Sequence, residues 1–120
     1  MSILLVDGDK WFAESLAATL EKSLNESVQI ADSAEAAIKK IDAELPRVVL
    51  ADFRLGTKNA MTLLNELQSF TDTRQLPVIL LTVDGQRLNL ADFENHGVKY
   101  IFDKQTAQPA EIAEAVKNVR

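Results

Sequence analysis

The chain has 120 residues, the size of one domain, and its 47% hydrophobic and 26% charged residues are an ordinary balance for a globular protein with a single core. A net charge of −5 argues against a nucleic-acid-binding face, which needs clustered Lys and Arg, and the lack of cysteine excludes disulfides, thiolate nucleophiles and cysteine zinc sites. No apolar run is long enough to cross a bilayer and the N-terminus lacks the pattern of a secretory signal, so no membrane association and a cytoplasmic location are expected.

The first apolar run, Ile3 to Val6, reads as a strand and leads at once into Asp7, Gly8 and Asp9. Phe12, Leu16, Leu20 and Leu24 follow at helical spacing. The second run, Val28 to Ala31, alternates around polar Gln29 and precedes a helix bearing Ala34, Ala37, Ile38 and Ile41, with Asp32 and Glu35 as a capping-box pattern. The third run, Val48 to Ala51, ends at Asp52, and Met61, Leu64, Leu67 and Phe70 mark a third helix. Val78 to Leu81 leads to Thr82 and then to a weaker helical pattern from about Gln86 to His96, closed by Gly97 as a left-handed stop. The fifth run, Val98 to Phe102, contains Lys99 and is followed by Asp103 and Lys104. A last helix runs from Pro109 to the end, with Ile112, Ala113, Val116 and Val119 on one face.

Five strands alternating with five helices predict an α/β fold in one domain, residues 1–120, with a doubly wound parallel sheet. Runs one, three and four are continuously apolar and belong at the centre, covered by helices on both faces, whereas runs two and five have the character of edges. Right-handed crossovers then give the order 2-1-3-4-5, a flavodoxin-like (βα)5 sheet. In such a sheet a ligand sits beyond the carboxyl ends of the strands, between strands one and three.

The residues at those ends are Asp7 and Asp9, Asp52, Thr82 and Lys104. Clustered carboxylates suit a hard divalent ion such as Mg²⁺, and a carboxylate beside such an ion can attack a phosphoryl group while the metal and a lysine share the developing charge. Asp52, on the most central strand, is the best nucleophile candidate, and Thr82 is placed to donate its hydroxyl to the new phosphoryl oxygens. Asp9 also suits the N-cap of the first helix.

Four motifs together resemble the receiver domains of two-component response regulators, the CheY-like family, over essentially the whole chain. "ILLVDGD" is similar to the family's first-strand acidic motif, "VVLADFRL" to the strand carrying the phosphorylated aspartate, "PVILLT" to the strand-four threonine and "GVKYIFDK" to the strand-five lysine. The resemblance implies that Asp52 is the phosphoacceptor, Asp7 an acidic-pocket residue, Arg54 a metal ligand through its backbone carbonyl, Thr82 the switch hydroxyl and Lys104 the phosphate-pairing ammonium. It also implies a histidine kinase or phosphotransfer protein as donor and Mg²⁺ as cofactor. A downstream protein target would dock on a helix-four and strand-five face formed by Leu88, Leu90, Phe93, Lys99, Tyr100 and Ile101. Homodimer formation is left open, and no enzymatic activity is expected beyond self-phosphorylation and dephosphorylation on Asp52.

The chain departs from the family pattern at several positions. Gly8 stands where a second acid usually ligates the metal, so Asp9 would have to swing in to replace it. Gly56 replaces a frequent proline, Ala60 a frequent glycine, and Val83 a very small residue after the threonine. Gln105 replaces the proline that commonly follows the lysine, which predicts a trans Lys104–Gln105 bond. Ile101 holds the place of the switch aromatic, and Tyr100 falls on the opposite face of the strand.

Two alternatives follow. A degenerate receiver would keep the fold and bind partners without phosphorylation, a reading favoured by Gly8, Val83 and Gln105. A haloacid-dehalogenase-like phosphatase would use the D-x-D spacing of Asp7 and Asp9 as nucleophile and general acid, but that leaves Asp52 unexplained and lacks a later acidic pair.

Overall fold

A computed structural model describes residues 2–55, 58–83 and 88–119. Strands β1 (Ser2–Val6), β2 (Ser27–Ala31), β3 (Val48–Asp52), β4 (Val78–Thr82) and β5 (Val98–Asp103) form one parallel sheet in the order β2-β1-β3-β4-β5. Every residue of β1, β3 and β4 is buried, while β2 alternates and β5 opens to solvent along its length. The expected doubly wound sheet and its two edge strands are therefore observed.

Alternation along the strands splits the core in two. Leu4, Val6, Val49, Ala51, Val78 and Leu80 face one layer, which holds α2 (Ala34–Ala43) and α3 (Met61–Gln68). Ile3, Leu5, Val48, Leu50, Ile79 and Leu81 face the other, with α1 (Lys10–Leu24) and α4 (Pro109–Asn118). This places the first and last helices together and leaves the carboxyl ends of β1 and β3 open between the layers.

Three helix expectations change. The N-cap of α2 is Ser33 rather than Asp32: its extended backbone lets Oγ accept the Ala36 N–H at 3.1 Å, and the helix starts one residue later than the Asp32–Glu35 pattern implied. Helix α3 stops at Gln68, so Phe70 lies beyond it and is 55% exposed instead of contributing to the buried stripe.

The fourth helix does not form over its described part. Leu90–Asp92 and Glu94–His96 make two short 3₁₀ turns, the first capped by Asn89, whose side chain accepts the Ala91 N–H at 3.1 Å. Asn89 draws the backbone into a local turn, and Gly97 at φ 81° stops the chain in the left-handed region as expected. Gln86, at the expected helix start, lies outside the described residues, as does Gly56.

At the amino ends of the strands, Arg47 joins three segments. Its guanidinium grips Glu26 with two bonds of 3.0 and 2.9 Å, and Nη1 donates to the Val116 and Val119 carbonyls at 3.0 and 2.8 Å. The fork thus satisfies carbonyls at the end of α4 that the helix itself leaves open.

Candidate functional site

The site is built where β1, β3 and β5 end. Asp7 extends β1 by one more ladder bond, its N–H donating to the Ala31 carbonyl at 2.9 Å, and the register of the sheet sets it beside the end of β3. Asp52 closes β3, and the Phe53 N–H that follows is held by the Leu81 carbonyl at 2.7 Å. The Lys104 N–H donates to the Thr82 carbonyl at 2.7 Å, which fastens the start of the loop after β5 to the end of β4.

From these anchors the side chains converge. Lys104 Nζ lies 2.8 Å from Asp7 Oδ2 and 3.3 Å from Asp52 Oδ2. The remaining Asp7 oxygen, Oδ1, accepts the Asp9 N–H at 2.8 Å, and Asp52 Oδ1 accepts the Arg54 N–H at 3.3 Å. Both carboxylates are buried, and the lysine side chain is 6% exposed.

Burial and the neighbouring Asp7 charge push the Asp52 carboxyl above the ordinary aspartate range, with the Lys104 ammonium and the Arg54 N–H opposing them. Burial alone would lower the Lys104 pKa, but its bond to Asp7 and the charges of Asp7 and Asp52 outweigh it, so the ammonium is held above the usual lysine value. Two carboxylates against one ammonium leave the cluster negative, which suits a further cation.

Thr82 is buried at the end of β4, in register with Asp103 and one position beyond Leu81, the partner of Asp52. Arg54 sits in a short antiparallel ladder with Asn59, and its side chain is exposed. Asp9 takes the helix-cap role, accepting the Phe12 N–H at 3.1 Å. Among the described residues no three metal-ligating side chains gather in one place. The structure therefore brings Asp7, Asp52 and Lys104 together with Thr82 at their edge, and leaves the Asp9 carboxylate on the helix end.

The chemistry of the donor set bears on Mg²⁺. A hard, strongly hydrated ion commonly uses one or two carboxylates and keeps several waters, and Asp7 and Asp52 supply two carboxylates within reach of one ammonium. The residues fit such an ion. Gly8 is not enforced by its surroundings, because a Cβ there would meet only the Asp32 carbonyl oxygen, at 3.8 Å.

No described peptide bond is cis, in line with the expected trans Lys104–Gln105 bond. In place of a proline loop, the Gln105 N–H donates to Asp103 Oδ1 at 2.8 Å.

The expected partner face is not one surface. Phe93 is buried and meets Phe53 edge-on, with centroids 6.0 Å apart and planes at 78°, so it belongs to the core. Leu88 and Ile101 lean on the same core layer, whereas Tyr100 packs on the other layer, stacked with Phe102 at 5.9 Å. Only Leu90 and Lys99 of the six are exposed. Strand alternation sends Tyr100 and Ile101 to opposite layers, and Phe93, between the two 3₁₀ turns, points into the core.

Sequence reasoning also missed Phe12, whose ring lies 4.2 Å from Lys104 Nζ. The available signal was its place three residues after the Asp9 cap, in the first turn of a helix that starts at the site. Trp11, its neighbour, is 86% exposed.

Comparison with known proteins identifies relatives in sequence and in fold. The model of the response regulator receiver domain family matches residues 3–117. Response regulator Rre1 of Synechocystis is 32% identical over 85 residues, which cover 71% of this chain and 37% of that protein. A solved chain from Chloroflexus aurantiacus, assigned as a response regulator, is 30% identical with a TM-score of 0.87, covering 98% of this chain and 95% of that one. The fold is likewise similar to that of a CheY-like receiver domain protein from Methanospirillum hungatei, at 24% identity and a TM-score of 0.82, covering 97% and 90% of the two chains.

Proposed function

The chain belongs to the response regulator receiver domain family, and from that premise we propose that Asp52 accepts a phosphoryl group from a histidine kinase or phosphotransfer protein and so switches a protein-binding surface. Receiver domains act with such donors and with downstream targets, and generally bind Mg²⁺ at an acidic pocket. The observation that carries the reading for this chain is the convergence of Asp7, Asp52 and Lys104 beyond the carboxyl ends of the strands.

In the proposed transfer an Asp52 oxygen forms the new bond to phosphorus as the bond to the donor atom breaks, giving an acyl phosphate. Asp7, Asp52 and the Arg54 carbonyl would hold Mg²⁺, which supplies charge neutralisation on the phosphoryl oxygens. Lys104 pairs with one of those oxygens, and the Thr82 hydroxyl donates to another. Local rearrangement at Thr82 then shifts the balance between two surfaces. Beyond this self-modification the chain has no enzymatic role in the proposal.

A second reading, a receiver that binds partners without phosphorylation, is favoured by one observation: Lys104 already pairs with both carboxylates while Gly8 contributes none. The phosphatase alternative fits less well, because Asp7 is fully enclosed with both oxygens engaged. Intact mass after incubation with acetyl phosphate and Mg²⁺, with rapid quench, separates the first two. A phosphoryl adduct absent from Asp52→Asn supports the phosphoacceptor, and no adduct on folded protein supports the phosphorylation-independent module.

A further inference from the structure

The turn from β1 into α1 and the residue after β5 close into a ring of four contacts. Asp7 Oδ1 accepts the Asp9 N–H at 2.8 Å, and Asp9 Oδ1 accepts the Phe12 N–H at 3.1 Å. The Phe12 ring faces Lys104 Nζ, 4.2 Å from its centroid, and Nζ returns to Asp7 Oδ2 at 2.8 Å. We propose that Phe12 is a positioning residue that holds the Lys104 ammonium against Asp7, and that Asp9 serves the site by fixing the turn that carries Phe12. The proposal deepens the phosphoacceptor reading and rests on it only where Mg²⁺ is concerned.

A lysine ammonium is a compact charge on a flexible stem, with three N–H donors to place. Asp7 and Asp52 take bonds from Lys104, and the side chain is 6% exposed, so water has little access to what remains. The negative face of an aromatic ring fills that role, attracting the cation while excluding water. Phe12 is itself anchored: it is half-buried and packs against the core layer between α1, α4 and the sheet. Its backbone is held by the Asp9 cap, and Asp9 in turn by Asp7, so the ring orientation is tied to the carboxylate on which the ammonium rests.

The same two carboxylates are the candidate ligands of Mg²⁺, so ammonium and metal compete for Asp7 and Asp52. By favouring the ammonium on Asp7, Phe12 raises the Mg²⁺ concentration needed to enter the pocket. A leucine at position 12 would fill similar space with no aromatic face, freeing Lys104 without opening a large cavity.

The test reads the lysine directly. In the wild-type protein the Lys104 side-chain ammonium is expected to give an exchange-protected NMR signal, assigned by its disappearance in Lys104→Arg. Phe12→Leu should broaden or abolish it, whereas Leu20→Ala, a destabilising change two turns further along α1, should leave it intact. Amide shifts of Asp7, Gly8 and Asp52 during MgCl₂ titration should show about fivefold tighter binding in Phe12→Leu, the loss of a partly desolvated cation–π contact. An unchanged ammonium signal in Phe12→Leu, or equal Mg²⁺ affinity in the two proteins, overturns the proposal. Absence of Mg²⁺ binding in every form would sink the reading of the site as a metal pocket, and in that case the ammonium signal decides the role of Phe12.

Discussion

Lys104 makes its shortest charged contact with Asp7, at 2.8 Å, and not with Asp52, the proposed acceptor, at 3.3 Å. The ammonium therefore neutralises the more deeply enclosed of the two carboxylates and leaves the other more available.

Replacing Lys104 by Met should leave Asp7 and Asp52 buried without a counter-charge and lower stability by about 3 kcal/mol, measured by urea unfolding at neutral pH. Because the folded protein raises the lysine pKa, the contribution of Lys104 is fully present below 10.5, its ordinary value, and is lost as pH rises through the higher folded value. On the alkaline side, wild type and Lys104→Met should accordingly approach each other in stability only as the pH passes through that higher folded value.

Asp52→Asn should do the opposite and raise the urea midpoint at neutral pH. A carboxyl whose folded pKa is raised is favoured in its protonated form, so stability is greatest below the ordinary 3.8 and falls as pH rises through the folded value. The amide removes that penalty and leaves Lys104 on Asp7. The gain should shrink as the solution is acidified towards pH 3.8, and a constant gain across the range would contradict the burial and charge account.

Gly8→Asp should be tolerated in the turn, since a Cβ meets only a carbonyl oxygen at 3.8 Å. A third carboxylate would add repulsion to the metal-free cluster and strengthen Mg²⁺ binding by about tenfold, because affinity follows ligand charge. Thermal melts with EDTA and with MgCl₂ should show a lowered midpoint in the first and a larger metal-dependent rise in the second, relative to wild type.

Arg47→Ala should cost about 3 kcal/mol, because it strands Glu26 and two carbonyls near the end of α4 together. Arg47→Lys should recover little of it in the same urea assay. A single ammonium cannot reproduce a fork that reaches both a carboxylate and a helix end.

The sheet was legible in the sequence because its central strands are uninterrupted apolar runs, and the strand ends named Asp7, Asp52, Thr82 and Lys104 directly. Resolution failed where a local side chain competed with periodicity: Ser33 took the cap from Asp32, and Asn89 caps a 3₁₀ turn within the described part of the expected fourth helix. Phe93 then read as surface although it packs on Phe53. Phe12 escaped notice because an aromatic at helical spacing reads as core, and only the register of β5 brings Lys104 over its ring.

The fork at Arg47 also bears on time. Its bonds to Val116 and Val119 span 69 and 72 residues and need the end of the last helix docked, so they are expected to close late in folding. Contacts absent from the folding transition state act on the rate of opening, and the Arg47 fork is expected to behave as one of them. The chain should collapse to its fold about as fast without Arg47 as with it, and then come apart sooner: the fork governs how long each folded molecule lasts.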